Sequence, residues 1–248
     1  MNPLLAFQLR RLGRNRQYLL FTVLLPALFT VFFTKIFGGL ASGAAQYQDQ
    51  AAATMIAMMA YGGIGAALGA TIRISFDRAS GWLRQLRVTP VPQSTVFGVD
   101  VVVGALLTLP SLVVVAVVGR FVNDVQLGLG TWFALVGVLW AGSLVFVVLG
   151  LLIGLSLEER AAGGAMGLVA VVLAALGGLW VPVEIFPATM RTIAHALPSY
   201  WYAETGRDVA AGGAPSGQAV LVLAGFTAVF AVLAVLVARR RPLHAVSG

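Results

Sequence analysis

The chain contains no cysteine, one lysine (Lys35) and two histidines in 248 residues. Without thiols it forms no disulfide, zinc–thiolate site or iron–sulfur cluster and offers no cysteine nucleophile. His195 and His244 lack HExxH or facial-triad spacing and fall on opposite sides of the topology derived below, which excludes a zinc site or bis-histidine haem within one chain. No G-x-S-x-G elbow occurs, nor a Gly-rich phosphate loop followed by lysine, since Lys35 stands at the end of an apolar run. This polypeptide does not hydrolyse ATP alone. Charge is scarce as well: charged residues make up 10% of the chain and hydrophobic ones 59%, with a mean hydropathy of +0.93. A water-soluble core of this size would leave large apolar patches exposed, so the solvent for most of the chain is lipid.

Apolar runs recur at 19–37, 55–72, 101–119, 131–155, 163–181 and 219–238. Each approaches the roughly 20 residues needed to cross a hydrocarbon core of about 30 Å. Six spans put both ends on one side, and the arginines choose it. Twelve of the sixteen basic residues fall in the N-terminal segment, 73–92, Arg160 and Arg239 to Arg241; the other face holds Lys35, Arg120, Arg191 and Arg207. Both termini are therefore expected in the cytoplasm, with 41–52 and 183–217 outside. The net charge of +7 is read as topology and contact with anionic lipid rather than nucleic-acid binding.

Residues 1–18 place Leu5, Leu9 and Leu12 on one helical face and Arg10, Arg11 and Arg14 opposite, which predicts an interfacial amphipathic helix; Phe7 blunts the pattern. The alternative of a signal peptide cleaved near Ser42-Gly43-Ala44 fails on the length of the apolar run. Segment 73–92 (RISFDRASGWLRQLRVTPVP) has Arg73, Arg78, Arg84 and Arg87 against one acid, Asp77. Within it, 77–86 predicts a short helix with Trp82, Leu83 and Leu86 on one side, stopped by Thr89, Pro90 and Pro92. A short amphipathic helix facing the cytoplasm suits docking to a soluble partner.

Small residues recur at four-residue spacing: Gly65 and Gly69, Gly150 and Gly154, Gly163 and Gly167. In lipid such pairs let backbones approach, either within one subunit or between two. Asp100, at the start of the third span, is expected at the interface, paired with an arginine of the basic segment rather than relaying protons. An ion-driven transporter would show several buried carboxylates, so the driving force is expected from outside the chain.

Segment 182–217 carries too many charges to cross, yet Phe186, Met190, Ile193, Ala194 and Leu197 recur at helical spacing while Pro182, Pro187 and Pro198 divide it. Tyr200, Trp201 and Tyr202 suit the lipid–water interface. Two short amphipathic pieces dipping into the outer leaflet are predicted; a plain surface helix is the alternative, because polar backbone re-enters a bilayer only where protein or water covers it.

These residues resemble the type-2 permeases of ATP-binding-cassette exporters, which include small bacterial drug and antibiotic efflux subunits related to the daunorubicin-export permeases. The likeness covers essentially the whole chain. One signature is carried by Asp77, Arg78, Gly81, Leu83, Leu86, Arg87, Thr89 and Pro90, the other by Pro182, Phe186, Pro187, Leu197, Pro198, Tyr202, Glu204 and Arg207. Asp77 stands where glutamate is commoner, and Asp100 where many members carry lysine. The resemblance implies a single all-α permease domain in the bacterial plasma membrane: six transmembrane helices, an N-terminal interfacial helix, a cytoplasmic coupling helix and outer re-entrant helices. It further implies a dimer with an identical or related permease and two separate ATPase subunits that carry ATP and magnesium, no cofactor being expected in this chain. An apolar, glycine-rich translocation surface favours a lipophilic or amphiphilic substrate. A membrane enzyme would need intramembrane carboxylates, histidines or a serine–lysine pair, which the spans lack; a non-transporting scaffold or immunity subunit has no sequence feature separating it from a permease.

Overall fold

The computed structural model describes residues 20–39, 41–72, 74–76 and 93–240. All regular elements among them are helical. A π-helical turn at Leu20–Leu24 leads into α1 (Leu25–Gly38), followed by α2 (Ala44–Thr71), α3 (Gln93–Phe121), α4 (Leu129–Gly142), α5 (Leu144–Ser156) and α6 (Glu159–Leu176). A 3-10 turn at Val183–Ile185 precedes α7 (Ala188–Ala196), α8 (Pro198–Ala210) and α9 (Gly217–Arg240). Four helices are long and apolar enough to cross a bilayer: Ala44–Phe76, Phe97–Phe121, Leu129–Ser156 and Gly217–Arg239. The helices at the first and fifth expected positions, Thr22–Gly38 and Arg160–Leu176, are apolar but shorter.

α2 is the hub, packed against α1, α3, α5, α6 and α8. Its Met55, Ile56, Met58, Met59, Ile64 and Leu68 are fully buried, the all-round burial of an interior helix. α9 is the opposite case, with Val220, Leu221, Val229 and Val232 facing outward, as lipid-contacting positions do. α2 begins at Ala44, about three turns earlier than the apolar run predicts. Its polar first turns are taken up by the α3–α4 connection: Gln48 donates to the Asp124 carbonyl at 2.9 Å and accepts from the Gln126 amide at 3.1 Å. The segment 41–52, expected as an outer loop, is thus mostly helix.

Two prolines shape the bundle. Pro26 has no N–H to offer the Thr22 carbonyl, and that carbonyl receives the Ser111 hydroxyl of α3 at 2.8 Å. Gly62 makes room there, since a Cβ would collide with Ser111 Oγ. Pro110 sits inside α3. One turn before it, the Ala105 carbonyl accepts both the Trp140 indole of α4 and the Thr108 hydroxyl, each at 2.8 Å. Thr108 and Ser143 hydroxyls lie 3.3 Å apart, and Ser143 donates to the Trp140 carbonyl at 2.7 Å. This polar knot coincides with a one-residue irregularity at Ser143, between α4 and α5, inside the continuous apolar span Leu129–Ser156.

The connections gather at two ends. Tyr47 and Asn123 meet at 3.4 Å, while Asn123 donates to Thr34 Oγ1 at 2.9 Å, tying the 38–44 and 121–129 connections together. We call this the upper end. At the other end Ile74 packs with Leu155 and Ala234. Asp100, expected at an interface, is buried with 8% of its surface exposed. The interfacial helix expected at 1–18, and the predicted docking residues Asp77, Arg78, Gly81, Trp82, Leu83, Leu86, Arg87 and Pro90, lie outside the described residues.

Candidate functional site

The upper end is built from segment 177–210, and its sequence explains each turn. α6 stops at Gly177 and Gly178; Gly178 has φ +75°, a conformation that strains any L side chain, and a Cβ there would strike Val183. Ser199 Oγ donates to the Leu173 carbonyl at 2.8 Å, satisfying an end group of α6 from α8. Pro187 precedes α7, and Pro198 opens α8 where a helix has no use for the missing N–H. Phe186, Val183 and Ala194 bury together with Met190 and Tyr200 against them, whereas Ile193, expected on the same face, is exposed. Arg191 closes the turn by donating to the carbonyls of Glu184 (3.0 Å) and Phe186 (3.3 Å).

α8 packs against α2, α4 and α9. Tyr202, read from sequence as part of an interfacial aromatic cluster, is completely buried. Its ring lies 5.2 Å from that of Phe146, and its hydroxyl donates to the Leu139 carbonyl at 2.8 Å. Gly63 and Gly142 make the space, since a Cβ on either would collide with the tyrosine. Burial pushes the Tyr202 phenol up, so it stays a neutral donor. One turn on, Glu204 and Arg207 form a 2.7 Å ion pair, and the guanidinium lies 5.5 Å from the centre of the Tyr200 ring. Burial first, then the Glu204 carboxylate, raise the Tyr200 phenol above its ordinary value. Pro182, Phe186, Pro187, Pro198, Tyr202, Glu204 and Arg207 are therefore brought into one compact cap.

Beneath this cap lies a cavity of about 410 Å³ between α1, α2 and residues 178–185. Phe33 and Phe37 of α1 and Trp180 supply aromatic wall, Gln50 and Thr54 of α2 neutral polar groups, and Glu184 and Arg207 the charges. Phe33 and Phe37 stack at 5.9 Å, and Trp180 meets Tyr61 edge-on at 5.6 Å. The Trp180 indole N–H is buried without an acceptor among the described residues. Among the described residues no three potential ligands gather to hold a metal. The arrangement is an apolar hollow with a few polar groups, the make-up of a small-molecule site. Phe33, Phe37, Trp180 and Glu184 were missed in sequence; the i, i+4 spacing of the two phenylalanines was the available signal.

The chain matches the family model of the ABC-2 type transporter over residues 3–210. It belongs to the ABC-2 type transporter family. It is also similar to the Bacillus subtilis (strain 168) protein named Putative transport permease YvfS, with 27% identity over 236 residues, 94% of this chain and 95% of that one. Membership makes it a multi-pass membrane permease component, and implies an ABC system with an ATPase partner.

Within this ABC-2 permease the predicted glycine pairs have different surroundings. Gly150 and Gly154 of α5 lie against α2 and the residues just beyond it, where a Cβ on Gly150 would strike Thr71 and one on Gly154 would press on the Thr71 carbonyl at 3.2 Å. Gly163 faces Ile72 at 3.2 Å. Among the described residues Gly65 and Gly167 have no neighbour within 4 Å of a Cβ, and Gly69, like Gly65, is only partly buried.

Proposed function

We propose that this permease is the membrane half of an ATP-driven exporter that moves a lipophilic or amphiphilic compound outward. Two copies, or one copy and a related permease, act with two separately encoded ATPase subunits that bind ATP and magnesium. The observation that supports this reading is the upper end: a proline-divided cap, wedged among α2, α4 and α9, roofs an aromatic cavity within the bundle. In this reading both termini are cytoplasmic, six spans cross the membrane, and α7 and α8 are re-entrant helices that close the exit.

Work enters through segment 73–92. Trp82, Leu83 and Leu86 fill a groove on the ATPase, Asp77, Arg78, Arg84 and Arg87 orient the contact through rim charges, and Gly81 and Pro90 shape the segment. A helix joining the second and third spans passes an ATPase rearrangement to both. Gly65 and Gly167, free of close neighbours among the described residues, and the partly buried Gly69 are available to a second permease.

The test is co-purification. The full chain, expressed with its cognate ATPase, is expected to retain that ATPase through detergent purification. Leu83→Ala combined with Leu86→Ala is expected to lose it at unchanged thermal stability. Undiminished association in the double variant removes the coupling role; a destabilised variant assigns the two leucines to packing within the permease.

A further inference from the structure

We propose that the cavity at the upper end binds a lipophilic cation, held by the aromatic wall of Phe33, Phe37 and Trp180 with Glu184 as its countercharge. At about 410 Å³ the space falls within the range of small-molecule sites. Its two charged lining groups are not equivalent. Arg207 is already held by Glu204 at 2.7 Å and lies over the Tyr200 ring, so its charge is met from within α8. The Glu184 carboxylate has no ion pair among the described residues; Arg191, the nearest base in sequence, does not line the cavity and donates to the carbonyls of Glu184 and Phe186. Of the two charged lining groups, the one without an ion pair is therefore negative.

Aromatic faces act in the same direction. Ring faces are electron-rich and attract cations, the more so out of water, whereas an anion would meet both the faces and the carboxylate unfavourably. Gln50 and Thr54 add neutral hydrogen-bonding groups on the α2 side without altering this sign. A cation with an aromatic or alkyl body satisfies both features. As the class of the exported compound this rests on the export reading; binding itself does not.

The test pairs two ions of the same shape and opposite charge, tetraphenylphosphonium and tetraphenylborate, in equilibrium binding to the purified full chain. Saturable binding of the cation and none of the anion is expected. Glu184→Gln, at an exposed side chain, should weaken the cation by roughly twofold to fivefold and narrow the discrimination, and Trp180→Leu should weaken it without changing its sign. Equal binding of the two ions by the wild type, or an unchanged cation affinity in Glu184→Gln, overturns the proposal. Selective cation binding without ATP-driven transport would sink the export reading and leave the site standing; transport without selective binding does the reverse.

Discussion

The hydroxyl of Tyr202 donates to the carbonyl of Leu139 at 2.8 Å, one turn before the helical irregularity at Ser143. A fully buried side chain of the cap is thus fastened to the last turn of α4, beside the irregularity at Ser143. Any displacement of α8 bears on that joint, and any change of angle between α4 and α5 bears on the cap.

Removing only the hydroxyl isolates the bond. Tyr202→Phe is expected to destabilise the protein by about 1 kcal/mol, and Tyr202→Ala by about 3–5 kcal/mol through the cavity it leaves. Thermal unfolding of the purified variants reads both. Equal stability of Tyr202→Ala and wild type would contradict the buried placement.

The glycines separate into two sets that alanine should distinguish. Gly150→Ala must displace Thr71 or the α2 backbone, and overpacking of this kind costs about 1–3 kcal/mol. Gly167→Ala meets nothing in its own chain and should leave the subunit's stability unchanged or raise it by up to about 1 kcal/mol, since alanine is the better helix former. Detergent stability of the two variants, measured beside the fraction of dimer, checks the contrast. A destabilised monomer for Gly167→Ala would remove the surface assignment.

Topology is directly accessible because the chain has no cysteine. A single cysteine at Ala214, exposed in the connection before α9, should react with an impermeant maleimide added outside intact cells. One at Ser80 should not. Labelling of the Ser80 position from outside would invert the arrangement derived from the arginines.

The proline steps of the cap are expected to matter for transport more than for folding. Pro187→Ala with Pro198→Ala frees two helix starts whose direction the rings now fix. Transport should fall while the protein remains folded and inserted. Wild-type transport in a folded double variant would withdraw the exit-closing role from α7 and α8.

The long apolar runs were legible because lipid demands them: α9 falls within two residues of its expected span at each end, and α3 ends two residues past its own although it starts eight residues earlier. Other features depend on partners far away in sequence. The early start of α2 was hidden because Gln46, Gln48 and Gln50 look like loop until the 123–126 turn and the cavity are placed against them. The one-residue irregularity at Ser143 lies inside an unbroken apolar run and becomes intelligible only with Thr108 and Tyr202 beside it. Tyr202 itself sits in a run of aromatic residues that reads as interfacial; its burial requires Gly63 and Gly142, from two other helices, to leave room. The prolines of the cap, by contrast, act locally and marked its divisions correctly.

Export driven by a separate ATPase, as proposed above, is read out by flux in inside-out vesicles. Vesicles holding the permease and its cognate ATPase should accumulate a fluorescent lipophilic compound when ATP and magnesium are added. Accumulation should cease when the ATPase carries a disabled phosphate-loop lysine, and should fall to background with Leu83→Ala and Leu86→Ala in the permease. Equal accumulation with the active and disabled ATPase would contradict the account.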